Sequence, residues 1–232
     1  MLKRRNAEER GHADHGWLNS YHTFSFADYY DPEHSGFREL LVINEDRVQP
    51  GRGFGSHPHR DMEIISFVIE GALEHKDSMG NSSIIVPGEI QRMTAGTGVV
   101  HSEFNSSDRD LVHFLQIWIK PGQQGLSPGY DQKRYSERIK PGELTLIASQ
   151  NGLEDSVLIH QDVNIYLAKL EEGDSLDYSM GLQRHVWIQM IQGGVDLNGI
   201  PLEISDGLAA SDESLLKITA KQSSQLLLFD LG

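Results

Sequence analysis

Leu111-Val112-His113-Phe114-Leu115-Gln116-Ile117-Trp118-Ile119 is apolar on both of its parities, with Val112, Phe114 and Trp118 on one and Leu111, Leu115, Ile117 and Ile119 on the other. Successive strand residues face opposite sides of a sheet, so a strand of this kind needs cover on both faces. The stretch predicts a closed or double-layered β structure. Short apolar runs bounded by Gly, Pro, Asn and Asp recur on either side of it, while long helical periodicity is nearly absent. Strands are predicted over 40–43, 64–70, 73–77, 84–86, 91–94, 99–105 and 111–119, and again over 144–148, 156–160, 165–170, 186–191, 194–197, 207–210, 215–218 and 225–231. The fold class is all-β.

The 232 residues suffice for two domains of about 115 residues each. Pro121-Gly122-Gln123-Gln124-Gly125-Leu126-Ser127-Pro128-Gly129 is the richest Pro/Gly stretch and marks the junction, giving an N-terminal domain over 1–130 and a C-terminal one over 131–232. A faint internal repeat lays Ile69-Glu70-Gly71-Ala72-Leu73-Glu74 over Ile191-Gln192-Gly193-Gly194-Val195-Asp196. That overlay puts Ser179 and Gly181 at the places of His57 and His59, and His185 opposite Glu63.

A formal charge of −14 argues against direct binding of nucleic acid, whose readers carry basic faces. The absence of cysteine removes disulfides, iron–sulfur clusters and thiolate metal sites, leaving nitrogen and oxygen ligands. No apolar run suits a signal peptide or a membrane span, so a cytoplasmic location is expected. No GxSxG, GxxxxGK[ST] or HExxH pattern occurs.

His57-Pro58-His59 and His101-Ser102-Glu103 are two x-spaced pairs of ligand-type residues. On strands each pair points to one side, so together they can aim three imidazoles and a carboxylate at one divalent metal with positions left open. His12, His15, His22, His34, His75, His160 and His185 lack such spacing and read as surface or satisfied imidazoles, and His113 as a hydrogen-bonded core histidine.

Gly51-Arg52-Gly53-Phe54-Gly55-Ser56-His57-Pro58-His59, with Glu63 and Gly71, resembles the first cupin motif with a closing gap one residue longer than usual. Gly98-Val99-Val100-His101-Ser102-Glu103-Phe104-Asn105 resembles the end of the second, without the proline expected before its glycine. HPHxDMEI, AGTGVVHSE and the segment from Trp17 to Pro32 together resemble the pirin branch of the cupins. The resemblance implies two tandem jelly-roll barrels with one metal in the first. It implies His57, His59, His101 and Glu103 as ligands, with Glu63 the competing carboxylate. It also implies quercetin 2,3-dioxygenase chemistry, in which Glu103 takes the 3-hydroxyl proton of a flavonol, dioxygen adds, and the heterocycle opens with loss of carbon monoxide. Iron is the first choice, with nickel, cobalt, manganese, copper or zinc compatible with the same ligands. A phenolic substrate, dioxygen and a monomer are expected. The alternative is a metal- or redox-sensing regulatory module that binds a partner protein.

Overall fold

The computed structural model describes residues 1–232. It contains strands and two short 3₁₀ turns, and no helix is long and apolar enough to cross a membrane. Two units are resolved by their internal contacts, one of residues 11–136 with 157–161, the other of residues 1–10, 137–156 and 162–232.

In the first unit, a large antiparallel sheet runs in the order Gly129–Arg134, Glu89–Thr94, Glu63–Glu70, Val112–Ile119, Leu40–Val48, Leu18–His22, Gly11–Asp14. A four-stranded sheet runs Gly53–His59, Val99–Asn105, Leu73–Asp77, Ser82–Ile85. Val112–Ile119 is the centre of the large sheet, paired along both edges, and residues of both its parities are buried, which is why both are apolar.

Apolar side chains close this barrel at two levels. Leu18, Val48, Val68, Leu73, Ile85, Val112 and Phe114 form one cluster, and Ile64, Met93 and Val99 with Trp118 form another. Between them runs a belt of polar residues. His22 lies opposite Asn44, Asn44 opposite Gln116, Gln116 opposite Ser66, and Ser66 opposite Gln91, a continuous rung across five strands. Burying such a belt is costly unless its groups find partners. This is where a site has to be.

The second unit repeats the arrangement. Its large sheet includes Leu2–Arg5, Gly207–Ser211, His185–Gln192, Ser224–Leu231, Val163–Leu170 and Leu144–Ser149 in that order, and its small sheet runs Ser175–Ser179, Leu215–Ala220, Val195–Leu197, Ile200–Leu202. Gly71 and Gly193 occupy equivalent turns, at φ 79° and 73°, each with no room for a side chain, the first against Leu111 and Val112 and the second against Ser223 and Ser224. The polar belt is gone, however. By strand register Ser66, Gln91 and Gln116 become Ile188, Leu208 and Leu228, while His75, His101 and Glu103 become Leu197, Leu216 and Ile218. All six belong to one apolar core.

Three expectations change. The partner of Leu216 is Tyr178, as His57 is the partner of His101, so the sequence overlay onto Ser179 is one residue out. The cause is a β-bulge in the first copy, where Phe54 to His57 spans three residues against two from His101 to Glu103. The strand predicted over 40–43 continues to Val48, because Glu45 pairs with His113 at 2.9 Å and Arg47 at 2.8 Å on its outer face. The strand predicted over 156–160 shortens to Val157–Leu158, since the backbone of His160 turns to Gly122 and Glu63 instead of a ladder.

Candidate metal centre

Strand Val99–Asn105 buries its odd residues, so His101 and Glu103 point inward together from a strand flanked on both sides. On one side His101 faces His57, and on the other it faces Asp77, while Glu103 faces His75. The bulge at Gly55-Ser56 re-aims the neighbouring strand, and the Gly55 carbonyl takes a 2.7 Å hydrogen bond from His57 Nδ1. That bond fixes the tautomer and leaves the Nε2 lone pair toward the cluster.

Ligand-type atoms of His57, His59 and His101 lie within 4.8 Å of one another, and so do those of His75, His101 and Glu103. The three imidazoles crowd one another, with ring centroids 4.4 to 4.9 Å apart. Burial, reinforced by the facing imidazoles, pushes His101 down to about 3 and His59 down to about 4. Both rings are therefore neutral at physiological pH, the form that ligates metals. Both nitrogens of His101 are buried without a hydrogen-bond partner. An imidazole left so is costly in an apolar interior and is satisfied when a metal takes its lone pair, so the donor set fits a divalent cation.

Glu103 is held by the polar rung. Ser66 Oγ donates to Oε1 at 2.8 Å and Gln116 Nε2 donates to Oε2 at 2.6 Å. A carboxylate keeps further lone pairs beyond these two bonds. Burial raises its pKa, partly offset by Ser66 and the nearby imidazoles. Glu63 goes elsewhere, with Oε2 3.9 Å from Arg92 Nε and 3.4 Å from His160 Nδ1.

His75 reads as isolated in the sequence yet is fully buried against His101, its Nε2 3.0 Å from Asp77 Oδ2. The signal was present, for His75-Lys76-Asp77 is a third x-spaced pair of ligand-type residues. Asp77 is held below its ordinary range by His75 and by Asn81 and Met79, against the effect of burial. It accepts the His75 N–H, the kind of carboxylate contact that orients imidazoles around metal ions. His34, His113 and His185 are satisfied by Asp31, Glu45 and Ser211.

A cavity of about 420 Å³ opens onto the cluster. His57, His59 and Glu103 form its floor, and Phe26, Tyr29 and Trp118 contribute aromatic walls. His12, His15 and His22, without partner spacing in the sequence, also line it. Asp46 and Asn44 reach it from the large sheet, and burial with Glu103 and Glu45 nearby pushes Asp46 up to about 7 against a hydrogen bond from Ser20.

The pirin family model matches residues 3–119, and a model described as the quercetinase C-terminal cupin domain matches residues 146–231. Two Escherichia coli proteins, from O157:H7 and strain K12, named quercetin 2,3-dioxygenase are each 47% identical over 231 residues, covering 100% of this chain and 99% of theirs. The crystal structure of YhhW from Escherichia coli aligns with TM-score 0.97 at 46% identity, covering 100% of this chain and 98% of that one. A structure of the bacterial pirin YhhW in complex with nickel(II) aligns with TM-score 0.96 at 46% identity, covering 100% and 99%. With its two barrels, its histidine and glutamate cluster and these relatives, the chain belongs to the pirin family.

Proposed function

We propose that this pirin is a metal-dependent dioxygenase of the quercetin 2,3-dioxygenase type, with His57, His59, His101 and Glu103 holding one divalent transition metal. The observation that carries the reading is the convergence of imidazoles and Glu103 on the floor of an aromatic-walled cavity. Relatives named for this activity over the whole chain length support it. Iron is our first choice of metal, and the nickel(II) complex of a relative supports a divalent ion without selecting iron.

When bound, the metal supplies a Lewis acid that acidifies an enolic hydroxyl and a centre at which dioxygen reacts. The residues do the rest. Phe26, Tyr29 and Trp118 bind a planar ring system and keep water from the floor. Glu103 takes the 3-hydroxyl proton of the flavonol on a carboxylate oxygen. Its basicity is raised by burial, while Ser66 and Gln116 hold its plane fixed as the proton arrives.

The test is release of carbon monoxide from quercetin under air by iron-loaded protein, with metal-free protein as blank. Glu103→Gln is expected to lower turnover about 10²-fold or more, the usual worth of a positioned general base, and to lower metal content less. Glu63→Gln should retain turnover, since Glu63 faces Arg92 and His160. Turnover lost in Glu63→Gln but kept in Glu103→Gln would reverse the assignment. Metal-dependent capture of a protein partner with no release from any plausible metal would favour the regulatory reading.

A further inference from the structure

Two side chains that line the cavity carry buried polar atoms with no hydrogen-bond partner in the protein. Asp46 is 4% exposed, and although Ser20 hydrogen-bonds its carboxyl, Oδ1 has no partner. Trp118 stands edge-on to His59 with ring centroids 5.0 Å apart, and its buried Nε1–H also has no partner. Unpaired buried groups of this kind are rare and cost about 1–3 kcal/mol each, which a ligand recovers by pairing them.

Their placement constrains the ligand. Asp46 pairs with Phe114, and Trp118 lies four residues further along that same strand, so the two positions are about 13 Å apart at ~3.3 Å per residue. Gln116, which holds Glu103, lies midway between them. A molecule reaching both atoms must pass over Glu103. It must be elongated and flat to fit between the aromatic walls, offer a hydroxyl at the Asp46 end, and offer an oxygen acceptor at the Trp118 end. In the second barrel the register puts Ala168 at the place of Asp46, inside a dry core. The acid is present only where there is a cavity to use it.

We propose that Asp46 and Trp118 are the two specificity anchors of this cavity, selecting elongated polyhydroxylated aromatic molecules by accepting a ring hydroxyl at Asp46 Oδ1 and donating to a ring or carbonyl oxygen from Trp118 Nε1. This rests on the dioxygenase reading for the identity of the flavonol, and on the cavity alone for the anchors. A single-ring catechol spans too little to engage both.

The experiment is anaerobic calorimetric titration of iron-loaded protein with quercetin and with 3-hydroxyflavone, which lacks the outer hydroxyls. Wild type is expected to bind quercetin about tenfold more tightly, the worth of one hydrogen bond to a charged or acidic group. Asp46→Ala should bring the ratio near one at unchanged metal content. Asp46→Asn, nearly isosteric, should shrink the ratio in the same direction and serves if the alanine variant fails to fold. Trp118→Phe should weaken both ligands several-fold and leave the ratio intact. A quercetin preference that persists in the folded Asp46 variants would overturn the proposal. If wild type binds neither flavonol, the flavonol reading fails by itself, and 2,6-dihydroxynaphthalene against 2,6-dimethoxynaphthalene decides the anchors. Preference for the free hydroxyls that vanishes in the Asp46 variants upholds them, and equal binding rejects them.

Discussion

His101→Ala is expected to yield a folded β protein that no longer retains metal. His101 is the one residue common to both groups of ligand-type side chains, it comes from an interior strand, and neither of its nitrogens is engaged by the protein. Loss of a contact to an outer partner of a metal site costs 10–100-fold in affinity, so removal of this donor should cost about 10³-fold or more. Metal analysis after gel filtration, with circular dichroism as the folding control, checks it. Wild-type metal content in the variant would make His101 a structural imidazole and remove the basis of the site.

Gly53→Ala should be the most damaging single-methyl change near the centre. A Cβ at this position would overlap the Glu103 carbonyl and the Cα of Phe104, both backbone and neither able to swing aside. Overpacking of this kind costs about 1–3 kcal/mol. Because the displaced strand is the one that carries His101 and Glu103, thermal stability and metal retention should fall together. Gly55→Ala, with open space around its Cβ, is the matched control and should retain both. A stable Gly53→Ala protein with full metal would mean that the two strands are less tightly joined than their register indicates.

The fold was legible in the sequence wherever apolar residues marked it. The centre of the large sheet, the repeat that lays Gly71 over Gly193, and the strand of His101 and Glu103 all follow from pattern alone. Two stretches that were not legible share one cause. The strand Leu18–His22 turns Leu18, Ser20 and His22 inward, and Leu40–Val48 turns Asn44 and Asp46 inward, because both line the cavity and not a dry core. Polar inward faces erase the alternation by which strands are recognised. The site was hidden in part for another reason. The candidate ligand pairs were visible as pairs, but Ser66, Gln116, His75 and Asp46 owe their places to cross-strand register between segments far apart in the chain, which no local pattern records.

The strand Gly53–His59 lies at the border of its sheet and pairs with a single neighbour. It nevertheless carries two of the four proposed ligands, so an ion held between His57, His59 and His101 would rivet a half-attached ribbon to the strand beside it. Losing the ion would then loosen the strand that lines the cavity's floor as well as empty the site. Amides of residues 53–57 and 59 should exchange with solvent faster in chelator-treated protein, while those of the central strand Val112–Ile119 stay protected. Equal protection of residues 53–57 and 59 with and without metal would show that the bulged pairing alone suffices. The ion would thus serve as a fastener for one wall of the cavity, so scarcity of metal would be felt first as a loosened strand.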